Sequence, residues 1–125
     1  MASELRVDTL KDSSGNNSVG MSYVAGGSAK AWTNFNGTGT VAIRGSFGVS
    51  SISDNGTGDY TTTFSNAMND ANFSSNAFAG TGTVSNQAAP QSLMASSTTS
   101  IRTLTYFSSA FDRAYQLNQI FGDLA

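Results

Sequence analysis

Val41-Ala-Ile-Arg-Gly-Ser-Phe-Gly-Val49 is the stretch whose reading decides the fold class. Val41, Ile43, Gly45, Phe47 and Val49 alternate with Ala42, Arg44, Ser46 and Gly48. A period of two puts the first set on one side of an extended chain, which reads as a half-buried β-strand. Gly45, inside the apolar set, marks a bulge or a close backbone approach. Just downstream, Asp54-Asn-Gly-Thr-Gly58 separates Ile52 from Asp59-Tyr-Thr-Thr-Thr-Phe64. Asn-Gly between two such runs predicts a β-hairpin, with Tyr60, Thr62 and Phe64 sharing a face.

Upstream, Lys30-Ala-Trp-Thr-Asn-Phe-Asn36 is an aromatic, Thr-rich strand candidate broken by Gly37-Thr-Gly39. Leu5, Val7 and Thr9 alternate with Arg6 and Asp8, which predicts a short strand ending at Leu10. Lys11 to Asn17 has turn chemistry, and Val19 to Val24 suggests a second short strand. Ala25-Gly-Gly-Ser28 reads as a flexible joint, so an arm of residues 1–28 precedes a body of residues 29–125.

Further along, Ser65 to Ala71 suits one helical turn capped by Ser65, and Phe73 to Val84 is a weak strand. Asn86 to Ser97, holding the single proline Pro90, reads as a loop. Thr98 to Ser108 is a strand decorated on both faces, and Ser109 to Arg113 a turn. Ala114 to Phe121 fits either a strand or a helix. The strand is preferred because its neighbours are β by pattern. Strands every 8 to 12 residues predict an all-β body, a small antiparallel β-sandwich of jelly-roll type, with a short β arm.

Composition narrows the function. Ser, Thr, Asn and Gly supply 58 of 125 residues, whereas Leu, Ile, Val and Phe supply 24. The net charge is only −2, so self-repulsion does not oppose folding. There is no Cys, hence no disulfide, thiolate metal site or Cys nucleophile. There is no His, hence no Ser-His-Asp triad, no His general base and none of the usual zinc or haem ligation. No cofactor is expected. A pI near 4.6 with scattered cations argues against nucleic acid. No apolar run is long enough to span a membrane, and the N-terminus lacks the pattern of a secretory signal.

The run Lys30 to Arg44, continuing through Ser46 to Tyr60 and ending with Phe64 and Met68-Asn-Asp-Ala-Asn-Phe73, resembles a module of tailed-bacteriophage structural proteins. Such modules occur in tail fibres and related virion appendages. Leu5-Arg-Val-Asp-Thr-Leu-Lys-Asp-Ser-Ser-Gly-Asn16 resembles the opening segment of those proteins, and Ile120-Phe-Gly-Asp123 also fits. The resemblance implies a homotrimeric, β-rich virion protein whose usual role is host-surface attachment. It implies other tail or capsid proteins as partners. The glycine joint follows the opening segment almost at once, unlike a long-shafted fibre. That leaves a short tail fibre, a tip protein, or a capsid fibre or decoration protein.

On this reading Leu5, Val7 and Leu10 dock the protein to the virion or intertwine with two other copies. Phe107, Tyr115 and Phe121 are candidate trimer-interface anchors, since aromatic rings bury large areas and tolerate a wet edge. Trp32 and Tyr60, beside Gly/Asn turns, are candidate platforms for stacking on a host cell-surface glycan. The carboxylates Asp54, Asp59, Asp70 and Asp112 are the remaining chemistry. Asp54 to Asp59 loosely follows a calcium loop but lacks its full spacing and terminal Glu, so a turn is preferred. A glycosidase pair among them has nothing marking a raised pKa. Gly37-Thr-Gly39 and Gly80-Thr-Gly82 lack the Lys or third Gly of phosphate loops. A small carbohydrate-binding module is the alternative from another class.

The trimer expectation also has a physical basis. A chain of this size buries roughly two thirds of its unfolded surface. Here much of that is Ser, Thr, Asn and Gly, which add little at roughly 25 cal/mol per Å² of apolar area. Pooling aromatic faces from several chains is the remedy, and symmetric assembly is common.

Overall fold

The computed structural model describes residues 2–81, 89–106 and 109–125, the side chains of residues 89 and 90 excepted. Its strands are β1 (Thr9–Lys11), β2 (Ser18–Gly20), β3 (Ala29–Asn36), β4 (Ala42–Phe47), β5 (Val49–Gly56), β6 (Asp59–Phe64), β7 (Ser74–Gly80), β8 (Ala89–Ser97), β9 (Ser100–Thr105) and β10 (Tyr115–Phe121), with one helix, α1 (Met21–Gly27). β1 and β2 form a two-stranded sheet of their own. The other eight follow the order β4-β3-β10-β7-β8-β9-β6-β5, and every recorded pairing is antiparallel.

The eight strands fold over on themselves. β7 and β8 share only two residue pairs, Phe78 with Pro90 and Ala79 with Ala89. β4-β3-β10-β7 therefore faces β8-β9-β6-β5 in a sandwich-like arrangement. Side chains meet across the gap: Phe35 of β3 packs edge-on against Tyr60 of β6 at 5.1 Å. At the opposite side the chain passes between the two edge strands through Gly48. That residue has φ of +64°, and a Cβ there would lie 2.3 Å from the Lys30 carbonyl oxygen. The predicted continuous strand Val41–Val49 is thus broken at Gly48 because only glycine fits the corner.

Four strands supply three inward positions each. One end holds Ala31, Phe64, Ile101 and Ile120, clustered with Met68 and with Val49 and Phe73 beside them. The middle positions are Thr33, Thr62, Thr103 and Asn118, and the far ones are Phe35, Tyr60, Thr105 and Gln116. All twelve are buried and six are polar, so half of this interior contributes little hydrophobic stabilisation. The Asn118 amide donates across the sandwich to Thr62 Oγ1 at 3.0 Å. Thr33 Oγ1, Thr103 Oγ1 and Asn118 Oδ1 are buried without a hydrogen-bond partner.

Several expectations are corrected. The predicted N-terminal strand through Leu10 is displaced: Leu5 and Val7 precede β1, whose partner β2 is only three residues long. Val19 to Val24 is not one strand, because Met21 donates its N–H to the Asp8 carbonyl and α1 begins there. The glycine joint is the last turn of α1, closed by Ser28, whose N–H and hydroxyl both donate to the Val24 carbonyl. Ser65 to Ala71 is not helical: Met68 N–H donates to Thr98 O and Asn69 N–H to Asp123 O, so the turn after β8 and the segment after β10 take the donors a helix would use. Residues 89–97, read as loop, are strand β8, held by six pairs with β9. The preferred strand over Ala114 to Phe121 holds: Tyr115–Phe121 is β10, placed between β3 and β7.

Candidate interaction surface

Period two that buries Ala31, Thr33 and Phe35 turns Trp32 and Asn34 outward on β3. The same alternation on β10 buries Gln116, Asn118 and Ile120 and turns Tyr115, Leu117 and Gln119 outward. Register extends this face over four strands. One row runs Phe47, Trp32, Gln119, Asn76, and the next Gly45, Asn34, Leu117, Phe78. Side chains opposite one another in such rows stand ~5 Å apart. Phe47 is 59% exposed, Phe78 64% and Trp32 41%. A Cβ on Gly45 would lie 3.5 Å from Trp32 Cζ3, an ordinary contact distance, so the indole lies over the Gly45 backbone.

Trp32, Phe78, Leu117, Asn34 and Gln119 line a shallow groove of about 280 Å³. Asn34 Oδ1 is buried there without a hydrogen-bond partner. The Arg44 guanidinium sits 4.3 Å over the Tyr115 ring and donates to the Ala114 carbonyl. The face of the opposite sheet differs in kind. Its outward positions on β5, β6 and β9 include Ser51, Ser53, Thr61, Thr63 and Arg102, with Asp59 paired to Arg102. One outer face is aromatic; the other carries hydroxyls and the Asp59–Arg102 pair together with half-buried Leu104, and exposed Leu93 and Met94 lie on β8 of the same sheet.

Trp32 and Tyr115 therefore share one face, although their sequence neighbourhoods suggested different roles. Tyr60 is corrected: it is 0% exposed and cannot offer its ring to a glycan. Its hydroxyl lies 2.7 Å from Gly37 O and 2.7 Å from an Asp112 carboxylate oxygen. Burial first, then the Asp112 carboxylate, push the Tyr60 hydroxyl pKa well above the ordinary tyrosine range. Phe121 is half-buried at the end of β10, beyond the register shift after Ile120. Phe107 lies outside the described residues. Leu5 and Leu10 are exposed and Val7 is half-buried. Alternation alone does not mark Phe47, Phe78 and Leu117 as surface residues, because it does not say which face of a strand is covered.

The carboxylates hold turns together. Asp54 accepts from Gly56 N–H at 2.9 Å, Asp70 from Asn72 N–H at 2.7 Å and Asp112 from Gly58 N–H at 2.7 Å. Hydrogen bonds from the Arg102 guanidinium hold Asp59 below the usual carboxylate range, and burial opposes this only in part. Gly37 is a close-packing position, since a Cβ there would lie 2.7 Å from the Tyr60 hydroxyl. Among the described residues no three acidic groups gather as a metal site. Comparison with protein-family models, curated proteins and solved structures finds no match to this chain.

Proposed function

We propose that this protein is a non-catalytic structural component of a phage-type virion. It is a short tail fibre or fibre-like appendage that forms a homotrimer and mediates host-surface attachment or tail assembly. The observation that carries the reading is the misplacement of apolar bulk. Six of twelve inward core positions are polar, while Phe47, Phe78 and Trp32 stand outside. A chain with that distribution functions by being covered. The nested pairing of β3 with β10 and of β6 with β9 supports a jelly-roll-like description of the body.

The N-terminal unit fits a docking role. None of residues 2–28 is buried, and Leu5, Leu10, Val19 and Tyr23 are exposed. A three-residue ribbon and a seven-residue helix are marginal alone, so this unit gains its order from a partner. Leu5, Val7 and Leu10 are the proposed virion contacts.

The test is antibody labelling of particles from cells expressing wild-type protein or one lacking residues 1–10. Label on tails supports an appendage, and label on heads supports the capsid-decoration alternative. Loss of incorporation with a body that still unfolds cooperatively is the expected result for the deletion. Normal incorporation would overturn the docking role. The carbohydrate-module reading is favoured by one observation, the Trp32 groove with its unpartnered Asn34 oxygen.

A further inference from the structure

We propose that the outer face of β4-β3-β10-β7 is the surface on which copies of this chain meet, with Trp32, Phe47, Phe78 and Leu117 at the contact. The inference rests on the self-assembling reading above and assigns it a place on the molecule.

Magnitudes choose the occupant. With side chains of 150–250 Å² and the exposures of Trp32, Phe47, Phe78, Tyr115 and Leu117, the face leaves roughly 500 Å² of side-chain surface uncovered. That is near the top of what a monomer displays in one patch, roughly 300–600 Å². It is also more than half of the ~800 Å² per partner that a stable interface needs. Asn34, Asn76, Gln119 and the flanking backbone can supply the rest as a polar rim. The groove, at about 280 Å³, falls just short of the volume of an ordinary small-molecule site, ~300 Å³ and upward. The broad surface is thus better matched to a partner than the narrow depression is to a lone ligand. The depression suits one inserted side chain from the facing copy.

Charge points to a second copy. The two rows contain Phe, Trp, Gln, Asn, Gly and Leu and no ionisable group. Cations stand only at the margin: Lys30, bonded to the carbonyls of Ala25 and Ser28, and Arg44, over Tyr115. A neutral face can meet the same face of two other copies around a threefold axis without like-charge repulsion, and depletion of charge is the mark of an interface core. The opposite outer face, carrying Asp59, Arg102 and hydroxyls, remains toward water.

The chain provides two clean reporters, a single tryptophan and no cysteine. In the full chain, Trp32 emission should be blue-shifted and shielded from acrylamide at high concentration. It should move red, with quenching rising severalfold, as dilution dissociates the assembly seen by sedimentation. The double variant Phe47→Glu, Phe78→Glu should raise the dissociation constant at least a hundredfold while the far-UV spectrum is unchanged. Both side chains are exposed in the single chain, so the fold does not need them. Leu117→Cys should cross-link copies under mild oxidation, and Ser53→Cys on the polar face should not.

An assembly whose Trp32 stays quenchable, or that cross-links through Ser53→Cys and not Leu117→Cys, would overturn the assignment and leave the virion role standing. A protein monomeric at 100 µM whose Trp32 responds to maltohexaose would overturn it in favour of a glycan site. Absence from particles, with Trp32 buried between copies, would sink the virion role and leave the interface.

Discussion

Replacing Tyr60 by Phe separates a core tyrosine from a surface one. In the folded chain the ring is fully buried and its single hydroxyl proton is shared between Gly37 O and the Asp112 carboxylate. A hydrogen bond to a charged group contributes about 1.5–3 kcal/mol, and the buried Gly37 carbonyl would lose its phenolic partner. The expected loss is about 2 kcal/mol, or a fall in thermal midpoint of roughly 4–10 °C for a domain of this size. Urea unfolding followed by Trp32 fluorescence, at one fixed protomer concentration, gives the difference directly. A second readout comes from alkali. The folded Tyr60 pKa is raised, so the stability its hydroxyl brings is whole below the unfolded value of about 10 and is lost as pH rises above it. The wild-type advantage over Tyr60→Phe should therefore be constant to about pH 9 and shrink beyond 10. Equal stability of the two proteins, or a pH-independent difference through that window, would refute the buried assignment.

Three further outcomes follow from the interior and its corners. Thr103→Val deletes a buried hydroxyl with no partner and should stabilise by up to about 1 kcal/mol, whereas Thr62→Val strips the Asn118 amide of its acceptor and should cost about 1–3 kcal/mol by urea titration. Gly39→Ala and Gly48→Ala both place a side chain at positive φ, which costs about 1–2 kcal/mol. Only at Gly48 does the new Cβ also strike a backbone carbonyl, so that variant should lose at least about 3 kcal/mol in the same assay. Asp59 is held below the usual carboxylate range, so the stability it adds is present above about pH 4 and lost as pH falls through the folded value. Asp59→Asn should lower stability at neutral pH and flatten the acid limb of the stability curve, modestly because Arg102 is half-exposed.

The β5–β6 hairpin, the strands at residues 30–36 and 115–121 and the all-β class were legible because period two and turn chemistry act locally, although the turn itself is Thr57-Gly58 and Asn55-Gly56 ends β5 at a register shift. What escaped depended on partners far along the chain. β8 looked like loop because Pro90 and Ser-rich sequence carry no alternation, and it is a strand through pairing with β9. Ser65 to Ala71 had helical composition, but Thr98 and Asp123 claim its N–H groups. The N-terminal helix, with Gly26 and Gly27 in its last turn, contradicts local propensity and buries nothing. The site was half legible. Trp32 and Tyr115 were singled out, but Tyr60 was placed outside because a turn neighbourhood suggests exposure, while the Gly37 loop folds over it.

The strand at Val41 to Phe47 bears on the assembly as well as on the fold. Its alternation is the strongest in the chain, yet its burial in the single chain is the weakest of the aromatic-face strands. β4 is an edge strand, Ile43 and Phe47 are exposed, and a bulge opposite Asn34 and Phe35 carries Arg44 out of register. Edge strands protected for solvent carry charge, proline or polar residues. This one has a single charge, and the guanidinium leans onto Tyr115. An alternating pattern is selected by the environment a strand occupies in its working state. On the proposed assembly that state includes a second copy, so a pattern that looks wasted in one chain becomes the record of an interface. The same reasoning accounts for the polar interior positions Thr33, Thr62, Thr103 and Asn118. Where contact between copies supplies hydrophobic stabilisation, the interior of each copy need not.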